Sequence, residues 1–272
     1  MIDNFEKKII IVTGANSGIG KAAVLQLAKL GATVVMACRS DASGVTALEE
    51  VRQASGNDRL DLMRLDLASQ ASIRQFAGEF QQRYPRLDVL IHNAANFDLA
   101  MKKPVMTGDG YETIFATNHL GPFLLTHLLL DTLKKSAPSR ILTVASKGLA
   151  VYPRLDIEFD NLNGERRFDP QHAYYHSKLA QIMFTYDLTE RLKDYRVTVN
   201  CVRVGNVAIP DERLAHLPKW LLKLYAIKRS LALTPEKMAE TYVHLATDGS
   251  LEGVTGKYWD ENNREVKSNP AS

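Results

Sequence analysis

Tyr174-Tyr175-His176-Ser177-Lys178 places a phenol and an ammonium four residues apart, on one face of a helix. A phenol with a reference pKa of about 10 exchanges protons poorly at pH 7. A neighbouring ammonium favours the phenolate and brings the group toward the working range. Alone, this spacing arises by chance in many helices. Two other features give it weight: the glycine-rich run Thr13-Gly14-Ala15-Asn16-Ser17-Gly18-Ile19-Gly20, and Ser146 at the C-terminal end of an expected strand. Ligands of open α/β sheets gather at such strand ends.

The glycine run lies between the first expected strand and the first expected helix. There the backbone from Gly14 through Asn16, Ser17, Gly18, Ile19 and Gly20, with the helix N-terminus, can face a pyrophosphate. A side chain at Gly18 or Gly20 would obstruct the phosphate or the strand–helix packing. The spacing is G-x-x-x-G-x-G rather than the common G-x-G-x-x-G, and a plain tight connection is the alternative. The second strand ends in Ala37-Cys38-Arg39-Ser40. An acidic residue there would bind a ribose 2′-hydroxyl and disfavour a phosphate. Neutral Cys38 with Arg39, joined by Lys21, suits a 2′-phosphate instead; the alternative is two solvated surface cations. Asp66, ending the third strand, either meets an adenine amino group or caps the next helix.

These residues need an alternating framework to hold them. Short apolar runs at Ile9–Val12, Thr33–Cys38, Leu60–Leu65, Val89–His92, Ile141–Ala145, Val197–Val204 and Val254–Trp259 predict strands. Helical spacing predicts helices over Lys21–Leu30, Ala42–Ala54, Ala71–Arg83, Tyr111–Lys134, Tyr174–Lys193 and Pro235–Thr247. The last of these opens with Thr234 as N-cap and Pro235 at its first position. Strands alternating with crossover helices imply an α/β fold: one doubly wound parallel sheet, helices on both faces, in a single domain spanning residues 1–272.

Composition excludes several classes. The chain has 272 residues, 45% hydrophobic and 24% charged, with 16 Gly, 10 Pro and 2 Cys, which fits neither a collagen-like, a disordered nor a disulfide-scaffold protein. The net charge of +3 is spread along the chain, so no nucleic-acid partner is expected. Cys38 and Cys201 read as two reduced, buried thiols, and no His/Cys/Asp cluster has metal-ligand spacing. No apolar run approaches the ~18 residues of a membrane span, and the polar start is wrong for a secretory signal, so a cytoplasmic location is expected.

The chain resembles the short-chain dehydrogenase/reductase family over nearly its whole length. Its Rossmann-type cofactor turn T-G-x-x-x-G-x-G is met at Thr13 through Gly20, and its N-N-A-G segment appears altered as His92-Asn93-Ala94-Ala95. Thr117-Asn118-His119-Leu120-Gly121, Ser177-Lys178-Leu179-Ala180 and Ala37-Cys38-Arg39 are similar to the NADP-dependent retinol dehydrogenase and protochlorophyllide reductase branch. The resemblance implies a catalytic set of Asn118, Ser146, Tyr174 and Lys178. It also implies an NADP(H) site that includes Asp66, Leu67, Asn93, Ala94, Tyr174, Lys178, Val204, Gly205 and Val207. In the implied hydride transfer Tyr174 exchanges the proton, Lys178 lowers its pKa and holds the ribose, Ser146 orients the carbonyl, and Asn118 holds a relay water. Three departures stand out: Ala95 replaces a glycine, Val204-Gly205 replaces Pro-Gly, and the membrane-anchoring segment of many retinol dehydrogenases is not seen.

Substrate recognition is expected from Phe97, Leu99, Met101, Val151, Tyr152, Tyr175 and the stretch from Val207 through Trp220, with no convergent Arg or Lys. Such walls suit a lipophilic ketone, aldehyde or alcohol. Pro218–Arg229 is apolar with four cations and reads as a lid (over about 205–232), a subunit contact or a membrane-surface helix. Two apolar stripes on the Tyr174 helix, Leu179/Ile182/Met183/Tyr186 and Ala180/Phe184/Leu188, predict a homodimer or homotetramer. His119 and His176 are expected to serve packing, and Tyr175 to face the substrate or pack under the insert. The competing reading is a catalytically idle NADP-binding redox sensor or scaffold.

Overall fold

The computed structural model describes residues 5–98, 100–207 and 232–268. The seven described strands are β1 (Ile9–Thr13), β2 (Thr33–Cys38), β3 (Leu60–Arg64), β4 (Val89–Ile91), β5 (Ser139–Ser146), β6 (Val197–Val204) and β7 (Tyr258–Trp259). They form one sheet in the order β3-β2-β1-β4-β5-β6-β7, with every pairing parallel. The helices are α1 (Gly18–Lys29), α2 (Asp41–Ser55), α3 (Gln70–Arg83), α4 (Thr113–Phe115), α5 (Gly121–Lys135), α6 (Pro170–Arg191) and α7 (Pro235–Thr247).

The period-two geometry of the strands sorts side chains between two helical layers. Ile10, Val12, Val34, Met36, Val89 and Ile91 pack with residues of α1, α2 and α7. Their neighbours Ile11, Val35 and Leu90 pack with residues of α3, α5 and α6 on the other face. Burial on both faces explains why the strands read as continuous apolar runs. Each fully buried aliphatic side chain contributes about 1.5–3 kcal/mol. Strand order reverses at β1, which has β2 on one side and β4 on the other. In doubly wound sheets the crevice at that reversal takes the ligand.

Boundaries differ from expectation at several elements, α1 among them, which begins at Gly18 rather than Lys21. α6 begins at Pro170 rather than Tyr174, because Asp169 accepts from the amides of Gln171 (2.8 Å) and His172 (3.4 Å) and Pro170 suits the first helical position. Tyr174 therefore lies in the second turn. The helix expected over Tyr111–Lys134 is α4, a π-helical turn at Ala116–Leu120, and α5. The strand expected over Val254–Trp259 is only β7, since Val254 to Lys257 spend their backbone in a turn that meets β6. β5 runs longer than expected and brings Ser146 into the strand itself.

The two apolar stripes of α6 are accounted for inside one subunit. Leu179 and Ile182 pack on Ala145, Cys201 and Tyr258, whereas Phe184 and Leu188 join the α3/α5 layer. These stripes therefore do not require a symmetry mate. Of the expected substrate and lid residues, Leu99 and those from Ala208 through Leu231, including Pro218–Arg229, lie outside the described residues.

Candidate active site

The glycine turn is built by a close approach of β1 to the loop after β4. Thr13 Oγ1 donates to the Ile91 carbonyl (3.3 Å) and accepts from the Ala94 amide (3.0 Å). Asn93 Nδ2 donates to the carbonyls of Thr13 (2.9 Å) and Gly14 (3.2 Å). Asn93 and Ala94 thus brace the turn. A Cβ on Gly14, which has φ +64°, would come within 2.9 Å of Ala94 Cα. A Cβ on Gly20 would collide with Asn93 Nδ2 and the Gly14 carbonyl, so its smallness serves packing. Gly18 differs: its φ is +56° and nothing lies within 4 Å of a Cβ placed there. α1 opens with no side-chain cap hydrogen bond, whereas α2, α3, α6 and α7 are capped by Ser40, Ser69, Asp169 and Thr234. Open space over Gly18 and a helix start without such a cap fit an anionic group.

At the end of β2, Cys38 is buried and its thiol is pushed up to about 11 by burial, which keeps it neutral. Arg39 is exposed and has no ion-pair partner among the described residues. Lys21 departs from expectation: its ammonium pairs with Glu50 on α2 rather than standing beside Arg39. Asn16 Nδ2 donates to Ser43 Oγ (3.1 Å), tying the turn to the first turns of α2. Asp66 accepts from the Ala68 amide (2.9 Å) in a tight turn, and Ser69, not Asp66, caps α3. Leu67 is buried, and its carbonyl faces Gly121 too closely for any Cβ there.

The chemistry-bearing side chains converge at the C-terminal end of β5. Ser146 ends β5, and its Oγ accepts from the Gly148 amide (3.3 Å). Lys178 is 2% exposed, with Nζ donating to the Val144 carbonyl (2.9 Å) and lying 5.6 Å from the Tyr174 ring centroid. Burial brings its pKa down to about 8, so it stays mostly protonated at pH 7. Tyr174 is corrected in one respect. Burial pushes its phenol above the usual value, Tyr175 adds to this, and the opposing influence comes from Ser146. Lys178 is not among the influences on the phenol in this arrangement.

Asn118 sits in the π turn, whose wide hydrogen-bonding pattern frees carbonyls from the regular ladder. Its Oδ1 accepts from the Asn96 amide (2.6 Å), and its Nδ2 donates to the Asn96 carbonyl and to Ser177 Oγ (both 3.0 Å). Ser177 Oγ in turn donates to the Tyr174 carbonyl (2.6 Å). Gln181, which the sequence reading passed over, donates to the Asn118 carbonyl (2.5 Å). Its signal was a polar residue one turn beyond Lys178, among apolar neighbours Leu179, Ala180 and Ile182.

Cations do converge beside the site, contrary to expectation. Lys147 Nζ (2.6 Å) and Arg203 (3.3 Å) both pair with Glu261, after β7, and Arg203 also pairs with Asp260 (3.7 Å), so two carboxylates balance the two cations. The Glu261 side chain lies 3.2 Å from where a Gly205 Cβ would stand, so a side chain there would push Glu261 aside by a few tenths of an ångström. Val207 bridges to Leu233 beyond it, and Val204 ends β6. Phe97, 42% exposed, packs against Tyr174 with ring centroids 4.3 Å apart and planes tilted by 51°. Tyr175 packs on Tyr152 (4.8 Å) and against Gly148, under the insert. Val151 is exposed.

The histidines serve packing. His176 Nε2 accepts from the Glu158 amide (2.9 Å), and burial drives His176 and His119 to about 4. Among the described residues no group of three His, Cys, Asp or Glu could hold a metal ion. A cavity of about 330 Å³, lined by Arg140, Thr198 and Tyr195, opens at the opposite, amino-terminal edge of the sheet and takes no part in this site.

A nicotinamide dinucleotide fits these residues. Lys178 is a buried ammonium with three donors and one protein acceptor among the described residues, which leaves donors for ribose hydroxyls. The opening at Gly18 and α1 suits the pyrophosphate.

Comparison with known proteins agrees. The short chain dehydrogenase family matches residues 8–155, more than half of the chain. Human retinol dehydrogenase 14 is 42% identical over 268 residues, covering 93% of this chain and 78% of that protein. Mouse retinol dehydrogenase 11 is 41% identical over 254 residues, with the same coverage. Among solved structures, a short chain dehydrogenase from Escherichia coli CFT073 complexed with NADPH superposes with a TM-score of 0.73 at 25% identity, over 96% of this chain and 99% of that one. One from Shigella flexneri complexed with NADP shares the fold, with a TM-score of 0.73 at 24% identity over 96% and 100%. With its glycine turn, Ser146 at the end of β5 and a buried Lys178 by the Tyr174 ring, the chain belongs to the short chain dehydrogenase family and is an oxidoreductase of alcohol and carbonyl groups that uses a nicotinamide dinucleotide.

Proposed function

We propose that the protein is an NADP(H)-dependent oxidoreductase acting on the carbonyl or alcohol carbon of a lipophilic small molecule. The observation that carries the chemistry is the buried Lys178 ammonium 5.6 Å from the Tyr174 ring centroid, with Ser146 the side chain that opposes the upward push of burial on that phenol. Bound nicotinamide supplies the hydride acceptor or donor. Tyr174 gives a proton to the substrate oxygen in reduction and takes it in oxidation. Ser146 steadies that oxygen by a hydrogen bond. Lys178, charged at pH 7, favours the phenolate left behind and holds the ribose. Asn118 holds the loop that carries Phe97 against Tyr174.

NADP(H) over NAD(H) is supported by Arg39 standing exposed beside neutral Cys38, and by the NADP- and NADPH-bound state of two similarly folded enzymes. A lipophilic substrate is supported by Phe97 against Tyr174 and by the retinol dehydrogenase names of the relatives. The test is turnover of a panel of aldehydes and ketones with NADPH and with NADH. Turnover with NADPH, strongest on apolar substrates, is expected. Tight cofactor binding with no turnover on any member would favour the idle redox sensor or scaffold.

A further inference from the structure

Lys21 follows the glycine turn, yet its ammonium is engaged by Glu50. The 2′-phosphate side of the site is marked by Arg39, the Ser40 cap of α2 and the Asn16–Ser43 contact. Glu50 lies seven residues beyond Ser43, about 10 Å along α2 at 1.5 Å per residue. Lys21 is therefore drawn some two turns down α2, away from the phosphate side. The two side chains are 37% and 53% exposed, so the pair is solvent-screened and exchangeable. The lysine stem is flexible, and a phosphate dianion is a stronger counter-ion than a carboxylate.

We propose that Glu50 is a specificity-determining residue: an internal anion that competes with the cofactor's 2′-phosphate for Lys21 and so limits how strongly NADP(H) is preferred. This rests on the NADP(H) reading above. When a 2′-phosphate binds, Lys21 exchanges one anion for another. NADH, lacking that phosphate, leaves the Lys21–Glu50 pair undisturbed.

The experiment is direct titration of NADPH and NADH, followed by nicotinamide fluorescence without substrate, on Glu50→Gln, Lys21→Met, the double variant and the unmodified protein. Glu50→Gln should tighten NADPH about two- to five-fold, the size expected for releasing one exposed ion pair, and leave NADH unchanged. In the Lys21→Met background the gain should vanish, because the two residues act on each other. An unchanged NADPH affinity in Glu50→Gln, equal tightening of both cofactors, or a gain that persists without Lys21 would each overturn the proposal. Both substitutions lie on exposed helix surface, and thermal unfolding of each variant checks its fold. The underlying cofactor reading fails separately, if the unmodified protein binds NADPH and NADH equally and Arg39→Ala weakens neither selectively.

Discussion

Lys178 combines two properties that usually exclude each other, near-complete burial and a positive charge at pH 7. Burial lowers its pKa to about 8, so the charge proposed to favour the Tyr174 phenolate during turnover is present below that pH and lost above it. Carbonyl reduction is accordingly expected to decline as pH rises through about 8, measured as a kcat/KM profile. A rate that keeps rising past pH 9 would contradict the role given to Lys178. Tyr174→Phe should lower kcat by about 10²–10⁴-fold, the usual contribution of a general acid, with cofactor affinity preserved in a binding titration. Arg39→Ala should weaken NADPH binding by roughly 1.5–3 kcal/mol, the range for charge-assisted hydrogen bonds, with little effect on NADH. At this scale Ser146, Tyr174 and Lys178 were legible in the sequence as candidates, because the proposed chemistry needs those residue types and α6 holds two of them one turn apart. The partnership of Lys21 with Glu50 was not legible, since it joins residues 29 apart across two helices.

The elements explain how rigidly these groups are held. α6 starts at the Asp169 cap, a full turn before Tyr174, so neither catalytic side chain sits in a fraying terminus. Replacing Asp169 with Ala should cost about 1 kcal/mol of stability, read as a lowered denaturant midpoint, because two amides lose their acceptor. Cap and proline were both visible in Asp169-Pro170, but the apolar spacing that marks the helix begins later and set the expected boundary too late. The π turn at Ala116–Leu120 left no such mark. Its wider geometry shows only in the hydrogen bond from the Gly121 amide to the Ala116 carbonyl and in the Asn118 carbonyl offered to Gln181. Asn118 and Gln181 are 63 residues apart, so only the packing of α6 against the π turn brings them together.

For the whole molecule, the sheet order and the two helical layers follow from the alternation of strand and helix, but assembly does not. Phe123 on α5 is 40% exposed, with its ring 5.2 Å from Phe184 and 4.2 Å from His127. We expect the protein to be a homo-oligomer through this face, so that Phe123→Asp lowers its mass in light scattering; an unchanged mass would rule the face out. The sequence by itself determined the α/β class, the glycine turn, the neutral Cys38 before Arg39 and which side chains are candidates for the chemistry. All of these are local, being set by residue type and by spacing within one element or one connection. Tertiary structure alone decided that Lys21 answers to Glu50, that Glu261 and Asp260 meet Lys147 and Arg203, and that most of both α6 stripes packs inside one subunit. Each of these depends on which distant segments the sheet order places side by side, and Coulomb forces, close packing and desolvation act on distance in space rather than along the chain.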